Sequence, residues 1–172
     1  MDKSDHIRDV YAHFGLAMHL AQCLEQSIFI HLMFFDFFPR NIKFFKSQDH
    51  WAQEFDKYES QELGKSMGRL IQKMKDAGQP TNAIKDLLPT ALKQRNRLAH
   101  TYFSEHAIKF MSEEGRDEMI SELESIQSQL SSAMKMIDSI TLPLAHHYGL
   151  TEEMLQKMMS EMLQAHERTK KT

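Results

Sequence analysis

The chain is poor in the residues that punctuate or cross-link a fold: one cysteine, four prolines and six glycines in 172 positions. A lone Cys23 excludes an internal disulfide, and a single thiol suits a reducing compartment better than a secreted one. No stretch approaches the roughly 18 uninterrupted apolar residues of a membrane span, and no basic region followed by an apolar run opens the chain. The expectation is a cytoplasmic protein, neither exported nor membrane-spanning. An excess of positive charge is also missing, with 21 basic against 24 acidic residues and a formal charge of -3. That excludes coating nucleic acid by charge alone, so no DNA partner is expected and any RNA contact must be local.

Motifs of the commoner chemistries are absent too. There is no Gly-rich phosphate loop and no nucleophile elbow. The pair His146-His147 with His166, or His13 with His19, lacks the spacing of a zinc site, because adjacent histidines on a helix point in different directions. Neither a metal nor a cofactor is expected.

What the sequence does have is helical periodicity. Strand-like alternation is nearly absent, and apolar residues recur three and four apart over long stretches, which predicts an all-α bundle of about four to six helices in a single domain, residues 1–172. The first helix is expected from Ser4 or Asp5 to about Phe35, with Ile7, Val10, Tyr11, Phe14, Leu16, Ala17, Leu24 and Ile28 on its inner stripe. The six phenylalanines between Phe34 and Phe45 read as a buried, irregular corner. A second helix is expected from Ser60 to Ala77, closed by Gly78 and Pro80, and a short helical turn over 83–88 precedes a helix from Pro89 to His106. After Ser112 and Gly115 a long amphipathic helix runs to Pro143, which should kink or end it. The 149–172 extension forms a last helix whose methionine-rich face, Met154 to Leu163, reads as adaptable core rather than partner surface. Lys170-Lys171-Thr172 reads as a frayed tail.

The chemistry concentrates in Arg95-Asn96-Arg97-Leu98-Ala99-His100-Thr101-Tyr102. Arginine offers a planar fork of donors to phosphate oxygens, and histidine exchanges a proton near neutrality. On a helix Asn96 and His100, four apart, share a face, whereas Arg95 and His100, five apart, sit about 140° from one another. One site using both needs a distorted helix or a second copy of the chain. Lys93 and Arg97 add the local positive charge an RNA backbone would meet.

Arg95-Asn96-x-x-x-His100 resembles the R-x4-6-H signature of the HEPN superfamily, including the polar residue that follows the arginine. The resemblance implies an up-and-down, HEPN-like helical bundle that dimerises and a metal-independent endoribonuclease, a toxin or defence effector, whose paired motifs face one another across a cleft. It implies catalytic roles for Arg95, Asn96 and His100: His100 as general base or acid, Arg95 neutralising the phosphate, and Asn96 orienting either. Extended to Tyr102, the pattern looks like the R-x4-H-x-Y form of HepT toxins. That form implies a regulatory tyrosine modified by a nucleotidyltransferase antitoxin partner. The alternative is a non-catalytic protein-interaction or RNA-binding module of the same superfamily.

Overall fold

A computed structural model describes residues 3–62, 65–79 and 82–169. The fold is an all-α helical bundle, and among the described residues there is no strand. In chain order the helices are α1 (Lys3–Leu32), α2 (Phe38–Asn41), α3 (Gln48–Glu62), α4 (Met67–Asp76), α5 (Asn82–Lys85), α6 (Leu87–His100), α7 (Tyr102–Glu105), α8 (Glu113–His147) and α9 (Glu152–Thr169). None of the described helices is long and apolar enough to cross a membrane.

The two longest helices form the spine. His6 lies 3.0 Å from Asp117, Gln127 donates to the His13 carbonyl, and His31 Nδ1 lies 2.8 Å from Thr141 Oγ1, so α1 and α8 run in the same direction. Their apolar stripes meet: Val10, Ala17, Leu24, Ile28 and Leu32 of α1 and Met119, Leu123, Leu130 and Ile137 of α8 are all buried. Tyr11 and Leu16, expected on the same stripe, fall at its edge and are exposed. α4 and α6 cover this seam with Leu70, Met74, Leu88, Ala91 and Leu98. α6 runs against α8, as shown by Gln94 facing Gln129 and Arg97 reaching Glu122.

Local chemistry explains the joints. α1 passes into a π-helical turn, Met33–Phe37, which rotates Phe34, Asp36 and Phe37 inward. The buried Asp36 carboxylate is answered by Lys73 at 3.1 Å, by Arg40 and by the Tyr58 hydroxyl. The Phe-rich segment is therefore helical rather than irregular, continuing through α2 into a 3₁₀ turn at Ile42–Phe44; Phe34 and Phe37 pack inward, whereas Phe44 and Phe45 are exposed. Ser112 caps α8 by accepting the Gly115 N–H at 3.1 Å. Gly149, at φ 84°, lets α8 close with a 3.0 Å bond from the Leu150 N–H to the Ala145 carbonyl.

Three boundaries differ from expectation. The single helix over 60–77 is in fact the end of α3 and the whole of α4: Ser66 takes the extended conformation of an N-cap (φ -66°, ψ 154°), and Glu62 turns inward to Lys65 and Lys73. Leu63, Gly64 and Pro80 lie outside the described residues, as does the tail from Lys170. The expected 89–106 helix breaks at Thr101 (φ -131°), which separates α6 from α7. Pro143 does not end α8, which continues to His147. On the preceding turn Ser139 and Thr141 donate their hydroxyls to the Met136 and Ile137 carbonyls.

The methionine-rich face is the largest correction. Every residue of α9 is exposed, including Met154, Leu155, Met158, Met159, Met162 and Leu163, so this face is surface and not core. Cys23 is half-buried on α1, with its sulfur 3.5 Å from His19 Nε2.

Candidate functional site

α6 carries the motif, and its rotation is set by burial. Leu88, Ala91 and Leu98 point into the core, which turns Lys93, Asn96 and His100 outward. At intervals of three and four these three side chains form one solvent-facing stripe. Among the described residues the His100 imidazole makes no hydrogen bond or ion pair, which leaves it open to an incoming ligand.

Arg95 lies on a different face of the helix. Its Nε donates to Glu25 Oε1 on α1 at 3.1 Å, and one terminal nitrogen donates to Asn96 Oδ1 at 3.3 Å. The guanidinium thus bridges from the α1 groove to the amide that shares a face with His100. α6 is regular from 95 to 100, so no local distortion swings Arg95 onto the His100 face. Within one chain the arginine and amide are brought together, while the histidine stands one helical turn beyond the amide.

Arg97 has a different job. It donates through Nε to Glu105 and through a terminal nitrogen to Glu122, and its fork lies over the Tyr102 ring, 5.4 Å from the centroid. His106 closes this cluster with a short contact to Glu122. Burial pushes the Glu122 carboxyl up, but Arg97 and His106 outweigh it and hold the group below its ordinary range. These four groups tie α6, α7 and α8 together across the break at Thr101. Lys93 is the exposed cation of the motif region, whereas Arg97 meets solvent from within an internal network.

Tyr102 sits beneath that network. It is 1% exposed, packs against Phe14 and His106, and donates its hydroxyl to the Met119 carbonyl at 3.1 Å. Burial, with the Glu122 charge adding to it, raises the phenol above its usual pKa. A nucleotide could reach this oxygen only after α7 lifts from α8.

Sequence reasoning missed Glu25, Glu105, His106 and Glu122 as partners of the motif. Glu122 lies in the run Glu113, Glu114, Asp117, Glu118, Glu122 and Glu124, acids whose spacing alone reads as a solvated face, and Glu25 lies 70 positions from Arg95, where no local spacing rule reaches. The short separation of Arg97 and Glu105 was the one available signal, and the break at Thr101 hides it. Among the described residues no group of three His, Cys, Asp or Glu side chains is placed to hold a metal ion. No family model matches the chain, and comparison with curated proteins and with solved structures finds no match.

Proposed function

We propose that this chain is a HEPN-type, metal-independent endoribonuclease acting as a toxin or defence effector, with a composite site formed by α6 of two copies. The observation that carries the reading is the disposition of the motif on α6. His100 is open and exposed, Asn96 stands one turn before it on the same face, and Arg95 is held against Asn96 but turned away from His100. A regular helix cannot bring Arg95 and His100 of one chain onto the same phosphate, so the arrangement is completed by a second α6.

In that site His100 of one copy takes the proton of a ribose 2′-hydroxyl. The 2′-oxygen attacks the adjacent phosphorus, the bond to the 5′-oxygen breaks, and the leaving oxygen takes a proton from water. Arg95 exchanges Glu25 for the phosphate as negative charge builds there. Lys93 supplies the surrounding positive potential, since Arg97 is held by Glu105 and Glu122. Tyr102 is the acceptor for a nucleotidyltransferase antitoxin, reached by displacement of α7.

The test is purified protein with RNA in excess chelator. Cleavage by the wild type that falls by about 10² or more in His100→Ala supports the proposal, on the usual scale of positioned proton transfer. No cleavage, or equal cleavage by both, refutes it. A second reading, a non-catalytic RNA-binding module, draws on the Glu25–Arg95 ion pair, which already occupies the arginine; it predicts salt-dependent binding without scission.

A further inference from the structure

α9 is an 18-residue helix whose residues are all exposed, with Met154, Leu155, Met158, Met159, Met162 and Leu163 on one face. Their spacing of one, three and four makes a broad apolar stripe along three turns. Met162 is 70% exposed and Met159 and Leu163 are each 63% exposed, so among the described residues the C-terminal half of the stripe is largely uncovered, while its start at Met154 lies beside Phe34, Phe38 and Tyr148. An isolated helix of this length is marginal in water, because most helical stability in proteins comes from packing an apolar face. Methionines and leucines in such number also approach the largest apolar patch of a typical monomer, about 300–600 Å².

The charges say what covers it. The first turn is acidic, with Glu152 and Glu153; the last turn is basic, with His166 and Arg168, and the sequence continues to Lys170 and Lys171. A helix with this polarity is complementary to itself when reversed. Antiparallel pairing about an axis near Ser160 and Glu161 sets Met159 against Met162, Met158 against Leu163, and each acidic end beside the basic end of its mate. The helix dipoles then also oppose. Parallel pairing instead stacks acid on acid. The outer face, with Glu153, Lys157, Glu161 and Glu167, lacks the run of lysines and arginines that holds a helix at an anionic bilayer.

We infer that α9 is a self-association helix, and that its occupant is α9 of a second copy of this chain, docked antiparallel in an isologous contact. The inference stands apart from the nuclease reading. α9 follows the C-terminal end of α8, whereas Arg97 meets α8 at Glu122, 25 residues earlier and so about 37 Å along the helix. The α9 contact and an α6 contact are therefore separate surfaces, and a chain using both assembles beyond a dimer.

The experiment is the mass of the full-length protein in solution by light scattering across a concentration series, for the wild type, for the double variant Met158→Asp/Met162→Asp, and for charge variants. The expected wild-type mass is at least twice the 20.2 kDa of one chain, halving in the double variant. Trp51 fluorescence and the bundle's thermal midpoint should be unchanged, and far-UV dichroism should lose no more than the share of the 18-residue α9. Glu152→Lys/Glu153→Lys should weaken association by tenfold or more, and adding His166→Glu/Arg168→Glu in the same chain should restore it, which a merely misfolded helix would not do. His100→Ala should leave the mass unchanged, so failure of this inference and failure of the nuclease reading appear in different assays. A monomeric wild type, an unchanged mass in the double variant, or no rescue by the second charge reversal overturns the inference.

Discussion

In the proposed site Arg95 is the residue that meets the phosphate, and in the folded chain it is already engaged. Its 3.1 Å bond to Glu25 is a partly exposed ion pair, of a kind worth about 0–1 kcal/mol to stability. Removing the carboxylate charge therefore costs the fold little and releases the guanidinium. Glu25→Gln should unfold within about 1 kcal/mol of the wild type while binding RNA up to ~5-fold more tightly at low salt, the ratio equivalent to that energy. Unchanged affinity in a gel-shift titration would mean that Arg95 does not meet the phosphate. His31 offers a second residue-scale test. It is fully buried, and burial, partly offset by the nearby Gln79 side chain, lowers its pKa from 6.5 to about 4. The unfolded chain takes up this proton below about 6.5 and the folded chain only below about 4, so protonation favours unfolding between those values. The contribution is fully present above pH 6.5 and is lost as pH falls, by about 3 kcal/mol at the lower end. Denaturant midpoints followed through Trp51 fluorescence should fall across that window in the wild type and fall less in His31→Gln; parallel profiles would show that His31 is not the sensor.

At the scale of elements, the N-terminus of α8 is the most constrained joint. A Cβ on Gly115 would lie 2.2 Å from the Lys109 carbonyl oxygen and 2.7 Å from Lys109 Cα, both backbone atoms of the 3₁₀ turn Lys109–Met111. Backbone cannot rotate away as a side chain can. Gly115→Ala should cost about 3 kcal/mol or more, at or above the top of the overpacking range, against about 1 kcal/mol for loss of the cap in Ser112→Ala. Thermal unfolding of the two variants side by side checks the order, and an equal loss would contradict the close approach. The sequence announced this joint through Ser112 and Gly115, and it announced α1 and α8 through their stripes. It did not announce the break between α3 and α4, because the residues that make it, Glu62 turning toward Lys73 and Asp36, are drawn inward by a charge cluster assembled from three separate segments. The break at Thr101 was equally hidden: Arg97, Glu105, His106 and Glu122 hold it from both sides, and only the folded chain places them together.

For the whole molecule, periodicity was enough to give the bundle, since a helix that buries one stripe has few ways to satisfy it. It was not enough to place α9. An apolar stripe facing a core and one facing another molecule have the same spacing, and nothing in the sequence distinguishes Met158 from Met119, one exposed and one buried. The candidate site was legible as side chains and spacing, but its tethers to Glu25 and Glu122 were not. Core truncation in the shared spine should be severe: Leu123→Ala, at the α1–α8 seam, is expected to lose about 2–5 kcal/mol in chemical denaturation, and a loss below 1 kcal/mol would contradict the packing described.

The central claim is that two copies of α6 complete one RNA-cleaving site, and mixed oligomers test it most directly. Arg95→Ala and His100→Ala proteins, each inactive alone, are unfolded, combined and refolded together, then assayed with RNA in excess chelator. The account predicts that the mixture regains cleavage neither variant has, because one copy supplies His100 and the other Arg95. A mixture as inactive as its components, with subunit exchange verified by mass, would contradict it.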